Sequence, residues 1–525
     1  MGQGRAGAHA EHHLKLAAAE PAAASAHEDD EAPSSTRSLP AWWPFAALVV
    51  LGVLIRIPQL GSDIFGPHLF RQAQTLWPIR GYVRHGIDLS QTYLPVFGDQ
   101  QNVPYEFPLY QGVASVPTSW GLTDVLLGAR LTTLLSFEVT ALLLAWLLAR
   151  WSNRRTALLA LALFQVLPFG LLWGTSPLID FFSVALGLGA VVLADVFLRT
   201  GRTPALAAGA VLCWLALLVK ITNFPTIGIL LVVSATLAMR TIHRSDLLRR
   251  GATFLVAGPG VGAVLVMLWT RYADHVKAGD PSTAWLTSSA LSRWNFGTLS
   301  QRTDPDTYRT IAARLSDQVV GPALIGIVAC VVLALVLRRR RVLALGLLGA
   351  LVAPPLVFFN LYVVHDYYLI AVYPVAVAMC ALAIDLAVES VRGSAPVSRS
   401  TLAVALATVL CLACWATASG RYDVATLTQT VEPDPIVTGV TELTQPTDRI
   451  VTVNCDWDPA LLYLSDREGY MVTSHDPDVP WQYLADQGYR YLFACGGNPS
   501  PWVPTDLRLG TTALPGLFTI DGWSG

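Results

Sequence analysis

Long apolar runs recur along this chain, and they constrain its fold more than any other feature. A segment of about eighteen apolar residues crosses a hydrocarbon core about 30 Å thick, so a chain that repeats such segments folds across a membrane. The runs fall at 41–58, 124–149, 155–173, 176–198, 203–219, 225–239, 251–270, 319–337, 342–362, 367–389 and 400–418. They predict a polytopic α-helical membrane protein with about 11 transmembrane helices, the shortest runs lying near the lower limit for crossing. Composition agrees, with 53% of residues hydrophobic and 14% charged, too apolar for an ordinary soluble protein. The net charge of −2 gives no case for nucleic acid as a partner. The expected surroundings are the lipid bilayer.

Residues 1–40 are rich in Ala, His, Glu and Pro and lack apolar periodicity, which predicts a disordered tail. Its histidines, His9, His12 and His13, read as solvated, because nothing near them fixes a ligand geometry. The run FPLYQGVASVPTSWGL at 107–122 is short and carries two prolines, so it reads as an interfacial or re-entrant helix.

Basic residues set the orientation. With the N-terminus inside, the links RWSNRR (150–155), RTGRT (199–203), RTIHRSDLLRR (240–250), RRRR (338–341) and ESVRGSAPVSR (389–399) all face the cytoplasm. The short links opposite, such as KITN (220–223) and VVHDY (363–367), hold one Lys and no Arg. That is the positive-inside pattern. It predicts a cytoplasmic tail at 1–40, a transmembrane domain at 41–418 with external loops at about 59–123 and 271–318, and an extracytoplasmic domain at 419–525.

The last segment alternates strand-like RIVTVN, GYMVTS and YRYLFACG with helix-like PALLYLSD and PWQYLADQG, which predicts a small α/β domain. Cys455 and Cys495 each end a predicted strand, a candidate disulfide in an exported domain. Asp456 and Asp458 of NCDWDP (454–459) read first as a helix cap, and second as ligands for a metal or for sugar hydroxyls. Elsewhere nothing indicates a metal or another cofactor.

The polar residues expected outside, close to the membrane, carry the chemistry. In the first loop His68, Arg71, Gln72 and Thr75 share one helical face, and Phe70, Ala73, Leu76 and Trp77 cover another. That predicts an amphipathic helix at the external interface, with Leu76 and Trp77 toward lipid or protein. Asp180, Arg130, Lys220 and the HDYY segment (His365, Asp366, Tyr367, Tyr368) fall at the same ends of spans. Ionisable groups at membrane depth are costly and face a cavity or each other. Arg and Lys there suit a lipid phosphate.

Three segments resemble the GT-C superfamily of membrane glycosyltransferases, in the group of protein O-mannosyltransferases, aminoarabinose transferases and bacterial relatives. HLFRQAQT (68–75) resembles the H-x-W-R-Q-A-D-T segment of one bacterial branch and is followed by Gly86; EFPLYQGVASV (106–116) resembles the helix that closes the first external loop; HDYY (365–368) resembles a late-loop aromatic motif. The resemblance spans about 41–390. It implies transfer of a sugar from a polyprenyl-phosphate donor to a glycan, lipid or protein acceptor at the external face of the cytoplasmic (inner) membrane, with inversion. It also implies that Arg71, Gln72, Arg130, Lys220, His365, Tyr367 and Tyr368 hold the donor phosphate, and that Asp63, Glu106 or His68 is the base. Asp180 and Asp366 are structural or substrate-positioning residues on this reading. The chain departs from the pattern at Phe70, where relatives carry Trp, and at Gln74, where they carry Asp. The missing acid keeps open a catalytically inactive relative that acts as an assembly or binding protein. A lipid-linked sugar transporter is the other alternative, although no internal repeat supports it.

Overall fold

In lipid, only intrahelical bonding satisfies every backbone N–H and C=O of an isolated segment, so the apolar runs become helices. The computed structural model describes residues 42–62, 68–391, 398–418, 434–474, 479–500 and 502–523. Asp63 and the whole of the predicted N-terminal tail therefore lie outside the described residues. Pro44–Gly525 forms one compact unit; of the other, Met1–Trp43, only Trp42 and Trp43 are described.

Six helices among the described residues are long and apolar enough to cross a bilayer: Val125–Trp151, Asp180–Thr200, Ile221–Ala238, Arg244–Ala278, Tyr373–Ser390 and Arg399–Ala418. Pro305–Val319 and Leu324–Val336 make a seventh if their bent pair counts as one span, and Trp43–Leu54, Thr203–Val219 and Arg341–Val357 are shorter apolar helices. Local chemistry sets the ends. Asp124 accepts from the Leu127 N–H at 2.8 Å, and Asn153 from the Thr156 N–H at 2.8 Å, each satisfying a donor left over in a first turn. Pro168 divides the 155–173 run into Arg154–Val166 and Pro168–Trp173, since it has no N–H to continue the first helix. The 251–270 run is part of a longer helix that continues to Ala278 and contains a π-helical turn at Val256–Gly260, around Pro259. The loop expected from 271 thus begins as helix.

A mixed five-stranded sheet occupies the C-terminal region, in the order β2-β1-β3-β5-β4. β1 (Arg449–Val453) pairs in parallel with β2 (Gly469–Met471) and β3 (Tyr489–Ala494); β5 (Leu517–Trp523) runs antiparallel to β3 and to β4 (Leu507–Thr511). Helices Ala460–Ser465 and Trp481–Asp486 make the crossovers. The first loop adds to the open edge. Met471 N–H donates to the Val96 carbonyl at 2.8 Å and Gly469 N–H to the Pro95 carbonyl at 3.0 Å, with Phe97 bridged to Tyr470.

This docking corrects the expected setting of the Leu69–His85 helix. It is not an interface anchor: Gln72 to Ile79 are all buried, Ala73 and Leu76 at 0% exposure. Trp77 packs edge-on to Tyr463 at 5.5 Å, and Arg80 lies 3.8 Å above the Tyr463 ring. Arg80 and Arg84 both bind Asp466, each at 2.8 Å. Amphipathicity reads the same whether the second layer is lipid or protein, and here it is protein. Gly86, with φ of 91°, ends the helix in a conformation that suits glycine.

Two further polar groupings stiffen the bundle. Arg56, fully buried, donates to the carbonyls of Gly52 (2.9 Å), Gln165 (3.1 Å) and Gly170 (3.0 Å), and Gln165 donates to Glu138 at 2.6 Å. Arg56 thereby caps carbonyls on both sides of the Pro168 break. At the far ends of the helices Asp195 binds Arg150 (2.5 Å) and Arg199 (2.9 Å), and Asp385 binds Arg340 (2.6 Å). Ionisable residues therefore gather at this end of the bundle too, through Arg150, Arg199 and Arg340 of the basic links.

Candidate functional site

The ends of several separate elements meet in one polar cluster. His68 precedes the Leu69–His85 helix with φ of 62°, a left-handed conformation rare for a residue with a side chain. Its Nε2 lies 2.5 Å from Asp366 Oδ1. Its ring stacks on Trp173 at 6.2 Å and meets Tyr367 and His365 edge-on at 5.1 and 5.3 Å. Pro168–Trp173, the helix that starts at the Pro168 break, thus delivers an aromatic wall to the site.

One helical turn on, Arg71 donates through Nη2 to Glu106 Oε1 at 2.7 Å and through Nη1 to Gln74 Oε1 at 3.2 Å. Arg71 Nε is buried and has no partner among the described residues. Burial opposes the charge on Arg71, but Glu106, with Tyr367, Tyr368 and Asp180, outweighs it and raises the guanidinium pKa. Burial likewise opposes the charge on Glu106, and there Arg71 and then Lys220 win, holding the carboxyl below its ordinary value. Both groups are therefore ionised at neutral pH, and the Glu106 side chain keeps 30% of its surface.

Lys220, in the turn between Thr203–Val219 and Phe224–Ala238, bonds Asp180 at 2.8 Å, and both side chains are buried. Its ammonium sits 5.0 Å from the Tyr367 ring centre and 4.7 Å from that of Tyr368, an added attraction for a desolvated cation. His365 stacks on Tyr367 at 5.2 Å. Burial, with His68 and Arg71 nearby, lowers its pKa to about 4, so its imidazole is neutral.

Of the residues singled out in the sequence, His68, Arg71, Glu106, Asp180, Lys220, His365, Asp366, Tyr367 and Tyr368 come together here. Gln72 and Arg130 line a separate small pocket with Gln59, Ser62 and Thr175. Arg130 there donates to the carbonyls of Leu60 and Ser62. Asp63 lies outside the described residues. Asp458 Oδ1 accepts from the Ala460 N–H at 2.8 Å, the capping role read first for NCDWDP. Cys455 and Cys495 form a disulfide. Among the described residues no three His, Cys, Asp or Glu side chains gather in a metal-binding group.

Two tyrosines that sequence reading missed join the cluster. The Tyr105 and Tyr362 hydroxyls are buried with no partner among the described residues. Tyr105 precedes Glu106, and the Tyr362 ring lies 6.0 Å from that of Tyr368. Tyr105 was available from its place beside the acid. Tyr362 sits in the 342–362 run and reads there as an ordinary aromatic. Burying a hydroxyl without a partner costs about 1–3 kcal/mol. Together with Arg71 Nε, these groups make a set of donors suited to an acceptor-rich anion.

No sequence family matches the chain, and no curated protein sequence matches it. Solved structures do. ArnT from Cupriavidus metallidurans bound to undecaprenyl phosphate aligns with a TM-score of 0.59 at 15% identity, over 91% of this chain and 98% of that one. The apo state of the same protein gives 0.58 over the same shares. The archaeal oligosaccharyltransferase AglB from Archaeoglobus fulgidus, in complex with an inhibitory peptide and a dolichol-phosphate, gives 0.53 at 11% identity, over 86% of this chain and 69% of that one.

Proposed function

We propose, from the premise that this chain has the GT-C fold, that it is a glycosyltransferase using a polyprenyl-phosphate-linked sugar at the external face of the cytoplasmic membrane. The observation that carries the reading is the meeting of Arg71 and Lys220 with Glu106, Asp180 and the His68–Asp366 pair at one end of an apolar bundle. Membrane proteins keep such costly charges at substrate pathways. Two structures of the same fold, ArnT with undecaprenyl phosphate and AglB with dolichol-phosphate, add support.

In the reaction, an acceptor hydroxyl attacks the anomeric carbon as the carbon–oxygen bond to phosphate breaks, and inversion follows from attack opposite the leaving group. The bonding pair leaves on the phosphate oxygen, where Arg71 and Lys220 offset the developing charge. The hydroxyl proton goes to Glu106, whose ionised carboxylate is partly exposed beside Arg71; His68, oriented by Asp366, is the second candidate. Arg71 offers Nε to the phosphate first. As it turns toward the phosphate its grip on Glu106 loosens, and the carboxylate becomes the stronger base. Glycan, lipid and protein acceptors all present the required hydroxyl. The domain assignment belongs to the same proposal: a cytoplasmic tail at 1–40, about eleven spans over 41–418, and an extracytoplasmic α/β domain at 419–525. The basic links at Arg150, Arg199 and Arg340 support this orientation.

The test is transfer from a pool of radiolabelled polyprenyl-phosphate sugars in proteoliposomes, comparing wild type with Arg71→Ala and Glu106→Gln. Wild type should release free polyprenyl phosphate, and each variant should fall by about 10²-fold or more. A wild type that consumes no lipid-linked sugar would sink the proposal.

A further inference from the structure

Trp457 brings the C-terminal region beside the candidate site. Trp457 lies in the loop after β1. Its ring stacks on Phe97 at 5.2 Å, meets Trp285 edge-on at 5.5 Å and lies 6.5 Å from Tyr105. Tyr105 immediately precedes Glu106. Trp269 Nε1 donates to the Tyr105 carbonyl at 2.9 Å, and the Phe107 N–H donates to the Leu218 carbonyl at 3.1 Å. Residues 105–107 are thus tied to bundle helices by two hydrogen bonds of their backbone, and Tyr105 also meets a tryptophan about 350 residues away in sequence.

The loop that presents Trp457 is itself constrained. Asn454 and Asp456 have φ of 57° and 52°, left-handed conformations that Asn and Asp adopt more readily than other residues with a side chain. The Cys455–Cys495 disulfide lies between these two residues, Asn454 Nδ2 donates to the Cys495 carbonyl at 3.0 Å, and Asp458 caps the next turn. A solvent-facing connector has no need of this bracing. A loop that must hold one ring in one place does.

Resting on the transferase reading above, we propose that Trp457, braced by the Cys455–Cys495 disulfide, is a positioning residue that holds Tyr105 and hence Glu106 against Arg71. It acts through Tyr105 and takes no part in bond making.

The experiment uses the full chain in proteoliposomes, with Trp457→Ala, Trp457→Phe and the double variant Cys455→Ser/Cys495→Ser. Hydrogen exchange across 105–107 is followed beside transfer kinetics and thermal stability. Trp457→Ala should exchange faster at 105–107 and lose about 10- to 100-fold in kcat, as expected for a displaced catalytic group. Donor KM and Tm should stay near wild type. Trp457→Phe should restore kcat to within a few-fold, and the cysteine double variant should show a smaller loss in the same direction. Unchanged exchange at 105–107 in Trp457→Ala overturns the positioning role, as does a kcat loss that only tracks a fall in Tm and is not restored by Phe. If exchange responds as stated while wild type transfers nothing, the positioning of Glu106 stands and the transferase reading falls.

Discussion

Arg71 is where a single substitution should tell most. It touches Glu106 and Gln74 and keeps one donor unused. Arg71→Lys retains the charge and loses the fork, so it should recover only part of the transfer lost in Arg71→Ala, measured as kcat/KM with a polyprenyl-phosphate sugar. His365 gives a pH signature. Its pKa is lowered to about 4 from 6.5, so between those values the unfolded chain binds the extra proton. Its contribution to stability is full above pH 6.5 and is lost as pH falls toward 4. His365→Gln should therefore flatten the fall in Tm between pH 6.5 and 4 relative to wild type, and an identical slope would contradict the shift. At this scale the sequence exposed what topology brings to one end: His68, Arg71, Glu106, Asp180, Lys220 and HDYY. It did not separate Gln72 and Arg130 from the rest, because neighbours on one helix diverge by about 100°. Nor did it expose how Glu138 and Arg56, ionisable residues inside apolar runs, meet through Gln165.

Elements break and join where a few groups dictate it. Arg56 satisfies two carbonyls around the Pro168 break and a third, that of Gly52, on its own segment, and each buried acceptor left without a donor costs about 1–3 kcal/mol. Arg56→Met should therefore lower the thermal midpoint of the detergent-solubilised protein by many degrees. At the C-terminal sheet the contrast is between packing and surface charge. A Cβ on Gly469 would meet the Ile450 carbonyl at 2.4 Å and Leu462 at 2.8 Å, so Gly469→Ala should destabilise by about 1–3 kcal/mol. Asp466→Asn removes a pairing whose carboxylate is half exposed and should cost under about 1 kcal/mol. Both are read from thermal unfolding followed by near-UV signals. Strand and helix segments between 449 and 494 sit where alternation and turn residues put them. The strands at Leu507–Thr511 and Leu517–Trp523 escaped because Gly510 in the first, and Asp521 with Gly522 in the second, interrupt the apolar alternation. Pairing of Pro95–Phe97 with β2 escaped because a long-range strand contact leaves no periodic trace in either partner.

Across the whole molecule, the candidate site and the Arg-rich ion pairs mark opposite ends. Asp180 and Asp195 lie on one helix, about 22 Å apart along its axis at 1.5 Å per residue. The proposed orientation puts the ion pairs of Asp195 and Arg340 at the cytoplasmic end of the bundle; a cysteine introduced at Arg339 should resist a membrane-impermeant thiol reagent in intact cells, and one at Asp486 should react. Apolar runs made the helical framework legible. Which helices cross, and how the C-terminal sheet covers Leu69–His85, depend on surfaces that meet only in the folded chain. The central claim is that the cluster around Arg71 holds a lipid phosphate. It is tested most directly by a structure of the full chain in lipid nanodiscs with added polyprenyl phosphate. The expected result is phosphate density within hydrogen-bonding distance of Arg71, flanked by Lys220 and Tyr105. Phosphate bound at a different surface, with the Arg71–Glu106 pair undisturbed, would contradict it.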